Sequence, residues 1–260
     1  MRENTVKLKL DQGGVSLGTM VFGFASANVA RAAAAAGADF VVFDQEHTGF
    51  GIDTIRELLV AARGTGLMPF VRLPAVQAHL IAGVLDIGAM GVMLPMVSSA
   101  EQAEQIVSAV RYPPAGRRGF GLMDPDDRDP AGAAETMRKA QEAVLVIVQI
   151  ENLAGLEAAS DIAAVEGIDA LWIGQSDLSN ALGIPGDFEQ PAFHAAVATV
   201  RDACERHGKA LAIMATSVAD GHARLAQGFR LIAHSGDSRI YTEALRTALD
   251  SLRSPRSPAP

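Results

Sequence analysis

Short apolar runs alternate with longer stretches of helical period along most of the chain. Residues 15–22, 40–43, 67–71, 91–94, 144–150, 171–173, 210–214 and 230–233 read as eight strands, too short for helices and bounded by polar or glycine-containing segments. Between them apolar residues recur three and four positions apart, predicting helices over 27–36, 52–63, 78–85, 99–110, 133–142, 153–159, 191–207, 217–227 and 240–252. Gly37 closes the first of these helices, and Ser98 or Ser99 can cap the fourth, with Glu101 beside its positive end. Strand and helix in such alternation predict a (β/α)8 TIM barrel, one domain over residues 1–253. The tail 254–260, made of serine, proline, arginine and alanine, has too few apolar groups to pack and is expected to be disordered.

Two features depart from the plain repeat. Residues 111–132 form an unusually long loop, with Tyr112-Pro113-Pro114 near its start and the very polar Asp124-Pro125-Asp126-Asp127-Arg128-Asp129-Pro130 further on. Four strand-like runs also end in charged residues: 40–43 runs into Asp44-Gln45-Glu46-His47, 67–71 into Arg72, 144–148 into Gln149-Ile150-Glu151, and 170–173 through Gly174 to Asp177. In a parallel barrel the C-terminal strand ends share one face, so these acids, the His and the Arg converge there. That convergence implies an enzyme.

A formal net charge of -8 over 260 residues leaves no basic face for nucleic acid or an anionic membrane. No run approaches the roughly 20 apolar residues of a membrane span, and the start of the chain lacks a long apolar signal core. A soluble cytoplasmic protein is the expectation. The single Cys204 has no intrachain partner and lies in a helical stretch, as a structural thiol does.

Glu151 and Asp177, each where a buried strand meets a loop, suit a hard divalent cation with oxygen ligands; the same residues could equally cap helices beside Asn152 and Ser176. Arg72 can reach an oxyanion at the barrel mouth or pair with a strand-end acid. Asp44 and His47 can form a proton-transfer dyad, although a lone loop histidine is more often a surface residue. The histidines at 79, 194, 207, 222 and 234 lack zinc spacing. Lys139 and Lys209 do not sit at strand ends, where a Schiff-base amine belongs.

Asp44-Gln45-Glu46-His47, Val71-Arg72-Leu73-Pro74, the segment from Leu85 to Gly91, Arg111-Tyr112-Pro113-Pro114, Gln149-Ile150-Glu151 and Ile173-Gly174-Gln175-Ser176-Asp177-Leu178-Ser179 occur in one order. In that order and spacing the chain resembles the HpcH/HpaI aldolases, from about Gly18 to Leu249. The resemblance implies a class II pyruvate aldolase of the 4-hydroxy-2-oxoheptanedioate or 2-keto-3-deoxy-sugar-acid type, on a barrel of the phosphoenolpyruvate/pyruvate superfamily. Such enzymes reversibly cleave 4-hydroxy-2-oxo acids to pyruvate, or a related 2-oxo acid, and an aldehyde through a metal-stabilised enolate.

Carried over by position, the resemblance makes Glu151 and Asp177 ligands of Mg²⁺, Mn²⁺ or Co²⁺. It places Arg72 on the keto and enolate oxygen, and His47 with Asp44 as the proton-transfer pair. Gln149 stands beside the metal, the amides around Ser176 and Asp177 hold the substrate carboxylate, and Asp86 marks a subunit contact near the site. A homo-oligomer, a hexamer with a terminal helix on a neighbour, is implied as well. The same enolate would also serve an oxaloacetate decarboxylase or a carbon–carbon bond-forming enzyme like macrophomate synthase. The chain departs from the resembled pattern at 122–130, a loop facing the aldehyde half in those enzymes. Acid there is expected to disfavour a carboxylated aldehyde such as succinic semialdehyde, and to leave open a lid over 124–129.

Overall fold

Eight parallel strands pair in chain order and close on themselves: β1 (Ser16–Val21), β2 (Phe40–Asp44), β3 (Met68–Arg72), β4 (Gly91–Leu94), β5 (Leu145–Ile150), β6 (Ala170–Ile173), β7 (Ala210–Ala215) and β8 (Leu231–Gly236). The computed structural model describes residues 3–121 and 128–253. Residues 122–127, most of the acidic stretch on which the open question of a lid turns, and the tail 254–260 lie outside the described residues. Each strand expected from the sequence is present, and the architecture is a (β/α)8 barrel.

The helices are α1 (Thr5–Asp11), α2 (Ala27–Ala35), α3 (Ile52–Ala62), α4 (Ala78–Asp86), α5 (Ala100–Val110), α6 (Ala133–Ala143), α7 (Leu153–Glu157), α8 (Ala159–Ala164), α9 (Gln175–Ala181), α10 (Pro191–His207), α11 (Val218–Ala226) and α12 (Asp237–Arg253). The stretch expected as one helix over 153–159 ends at Glu157, and a second begins at Ala159. Neither α1 nor α9 was expected. The first of them reads Thr-Val-Lys-Leu-Lys-Leu-Asp, an alternation that looks like a strand; Asn4 caps it, and burial of Val6 and Leu10, four apart, makes it a helix. It closes the end where the strands begin: Asn4 Nδ2 donates to Met90 O and Ala143 O, each at 2.8 Å, and Lys7 pairs with Asp169.

Alternation along the strands divides the core in two. Phe40 and Val42, Met68 and Phe70, Leu145 and Ile147, Ala170 and Trp172, Ala210 and Ala212, and Leu231 and Ala233 fill the barrel interior. Val41, Phe43, Val71, Val146, Val148, Ile150, Leu171 and Ile173 face the helices. Continued one step toward the C-terminal ends, the inward series reaches Asp44, Arg72, Gln149 and then Glu151. The barrel is therefore apolar where the strands start and polar at its mouth.

The last helix fits this scheme least. Of α12 only Asp237 is buried, while Ile240, Tyr241, Leu245, Leu249 and Leu252 are exposed at the spacing of one helical face. Beside it a cavity of about 930 Å³ is lined by Leu17, Val29, Ala33, Ile240 and Tyr241 among others.

Candidate active site

The register of β2 on β3 sets Asp44 directly beside Arg72. Arg72 Nε donates to Asp44 Oδ1 at 2.6 Å, its Nη1 lies 3.2 Å from Glu46 Oε2, and its guanidinium stands 5.7 Å from the centre of the Phe22 ring. Asp44 is wholly buried and also accepts the amides of Glu46 and His47, each at 3.0 Å, so one carboxylate both anchors the arginine and shapes the turn after β2.

The Asp44–His47 pair expected from the sequence is linked here through the His47 backbone amide. With Asp44 occupied by Arg72 and two amides, the imidazole turns to Glu46, whose Oε2 lies 3.6 Å from Nε2. The ring is well exposed at the mouth. Burial raises the Glu46 carboxyl above its ordinary range, against the lowering effect of Arg72 and His47.

Glu151 follows the inward series of β5 and is 3% exposed. Its Oε1 accepts the Met96 amide at 2.6 Å and its Oε2 accepts Gln149 Nε2 at 2.9 Å. The carboxylate lies against the Cα of Gly174, where any Cβ would stand 2.0 Å from Oε2, so this position admits only glycine. Burial pushes the Glu151 carboxyl up to about 7, opposed by the Met96 amide and Arg72 and reinforced by the nearby charges of Glu46 and Asp177. Glu151 is not a helix cap: Asn152 fills that role on α7, accepting the Gly155 amide at 2.7 Å. Ser176 and Asp177 are exposed in the first turn of α9, whose amides lack helical partners.

The mouth thus gathers Asp44, Glu46, His47, Arg72, Gln149, Glu151 and Asp177, with Ser176 alongside. Four carboxylates face one guanidinium, and buried Gln149 Oε1 and Gln175 Oε1 have no hydrogen-bond partner among the described residues. Among the described residues no three of His, Cys, Asp and Glu stand together as a complete metal cage. Two carboxylates, one of them buried, fit Mg²⁺ or Mn²⁺, which take oxygen ligands and keep water or substrate on their remaining positions.

Asp86 does not join this group within the chain. A helix leaving the C-terminal end of one strand returns to the start of the next, so the last residue of α4 lies at the opposite end of the barrel. There Asp86 accepts from Arg118 Nη2 at 2.8 Å, and Arg118 covers the Tyr112 ring at 4.8 Å. The flank of the acidic loop up to Gly121 lies at that end too, with the Gly121 backbone packed against the Asp86 carboxylate. Sequence reasoning quoted Glu46 without giving it a role, and it missed Met96, Phe22 and the packing demand at Gly174. Only Glu46, inside the charged strand-end quartet, carried a visible signal.

A family model described as HpcH/HpaI aldolase/citrate lyase matches residues 19–244. The chain belongs to this family. It is 34% identical to the 2-keto-3-deoxy-L-rhamnonate aldolase of Salmonella gallinarum over 98% of this chain and 95% of that one. It is 33% identical to the 5-keto-4-deoxy-D-glucarate aldolase of Shigella dysenteriae over 84% and 85%. The crystal structure of an HpcH/HpaI aldolase from Desulfitobacterium hafniense superposes with a TM-score of 0.90 at 31% identity, covering 98% of both chains. This family member is accordingly a carbon–carbon lyase, and its relatives act on sugar acids. Among the described residues no helix is long and apolar enough to cross a membrane.

Proposed function

We propose that this enzyme is a class II aldolase that cleaves 4-hydroxy-2-oxo acids to pyruvate, or a related 2-oxo acid, and an aldehyde. The observation that carries the reading is the buried Glu151 carboxylate, held by two N–H donors within the field of Asp177 and beside Arg72. A 2-keto-3-deoxy sugar acid is itself a 4-hydroxy-2-oxo acid, so the names of the relatives support the same substrate frame.

A divalent cation held by Glu151 and Asp177, Mg²⁺, Mn²⁺ or Co²⁺, would supply the positive charge that polarises the keto group. The chain's own residues do the rest. The first-turn amides at Ser176 and Asp177 receive the substrate carboxylate, and Gln149 Oε1 accepts a hydrogen bond from water or substrate beside Glu151. Arg72, fixed by Asp44 and Glu46, faces the keto oxygen, where negative charge grows as the C3–C4 bond breaks. His47 takes the proton of the C4 hydroxyl through a water, the aldehyde leaves, and the enolate is then protonated at C3 to give pyruvate.

The working form in this reading is a homo-oligomer. The uncovered apolar face of α12 and the neighbouring cavity support it, because so large an apolar surface is costly in water.

The enolate half can be tested without knowing the natural aldehyde. Incubated in D₂O with pyruvate and Mn²⁺, the enzyme is expected to exchange the pyruvate methyl protons, followed by proton NMR, and to stop on chelation. No exchange above the metal-only background would contradict the reading.

A further inference from the structure

Two non-glycine residues among those described have left-handed backbones, Met96 at φ 57° and Ser235 at φ 54°, and both stand at the barrel mouth. An L side chain in that region is strained, and such strain persists only where the surroundings over-determine it. At Met96 they do. Pro95 precedes it, and Val97 after it is fully buried. The Val97 carbonyl abuts Gly155, where a Cβ would stand 2.3 Å away. Beyond it, Gln102 Oε1 accepts from Ser98 N at 2.8 Å and Ser98 Oγ at 3.1 Å.

The side chain of Met96 explains none of this, since the residue is 51% exposed while Leu94 and Val97 are buried. The backbone does. In this turn the Met96 amide reaches Glu151 Oε1 at 2.6 Å, while Gln149 Nε2 holds the other oxygen at 2.9 Å. Donors from the β4 end and from β5 thereby fix the carboxylate's rotation, as partners behind a metal ligand do.

We propose that Met96 is a positioning residue, whose left-handed backbone aims its amide at Glu151 and sets that carboxylate for a divalent cation shared with Asp177. The inference rests on the metal reading above and adds to it the element that orients the ligand.

The test uses the full chain and Mn²⁺ alone, with free Mn²⁺ measured by electron paramagnetic resonance. Glycine adopts the left-handed backbone without strain and keeps the N–H, so Met96→Gly should bind Mn²⁺ within about twofold of the parent, with a thermal midpoint no lower. Valine is β-branched and resists positive φ, so Met96→Val should turn the amide away and weaken Mn²⁺ binding about 10-fold or more, with an unchanged circular dichroism spectrum. A folded valine variant that binds like the parent would overturn the proposal. So would a glycine variant that loses affinity or melts earlier, and this variant carries the test alone if valine prevents folding. Failure of the underlying reading looks different: the parent would not bind Mn²⁺, or Glu151→Gln would bind it equally well.

Discussion

Arg72 donates to Asp44 across 2.6 Å at a point where strand register sets the two residues side by side, and Asp44 is wholly buried. The pair serves stability and chemistry at once. Removing the acid strands a largely buried guanidinium and leaves it to Glu46 alone, so Asp44→Ala should cost about 3 kcal/mol in urea unfolding. Arg72→Lys keeps a charge but loses the planar fork that meets Asp44 and Glu46 together. That variant should fold, with kcat reduced by about 10²–10³. A lysine enzyme of parental kcat would remove Arg72 from the chemistry.

The buried Glu151 carboxyl makes a pH prediction for the metal-free protein. Its carboxyl rises from an ordinary 4.5 to about 7 in the folded chain, so between those values the native state holds a proton that the unfolded chain has released. Its stabilising effect is complete below the unfolded value and is lost as pH rises through the folded one. Chelated protein should therefore melt at a lower temperature at pH 8 than at pH 5, by a difference on the order of 2–3 kcal/mol attributable to this group. Scanning calorimetry should show a flatter pH dependence in Glu151→Gln, and an unaltered slope would argue against the buried proton.

The exposed face of α12 predicts association. Leu245→Glu combined with Leu249→Glu places two charges on that face without touching the barrel interior. Sedimentation equilibrium should find an oligomer for the parent and a smaller species for the double variant. A parent that sediments as a monomer would refute the homo-oligomer.

Cys204 is buried, lies 3.8 Å from Ala210 O, and has its thiol pushed up to about 12 by burial. A thiol reagent at pH 8 should leave it unmodified in the native protein and titrate it fully in denaturant. Fast native labelling would mean that α10 opens.

The strands were legible because eight buried apolar runs separated by helical periods leave little choice of fold. The site was legible to the extent that alternation carries information: Asp44, Arg72, Gln149 and Glu151 continue inward series already written in Phe40, Phe70 and Leu145. Other relationships depend on space. The sequence offered Arg72 a strand-end acid as partner, but only the structure shows that the acid is Asp44, spent on Arg72 and the turn, which hands the imidazole of His47 to Glu46. Asp86 carries a motif yet lies at the far end of the barrel, because helix direction, and not proximity in a motif, decides which end a residue reaches. Met96 acts through a backbone amide, and amides have no sequence signature.

The central claim is metal-dependent carbon–carbon cleavage at Glu151. Its most direct test is pyruvate release from a 2-keto-3-deoxy sugar acid, measured with Mn²⁺, with chelator, and after Mn²⁺ is restored, in the parent and in Glu151→Gln. The account predicts release that chelation abolishes and Mn²⁺ returns, and none from the folded glutamine variant. Release that survives chelation, or that Glu151→Gln retains, would contradict it.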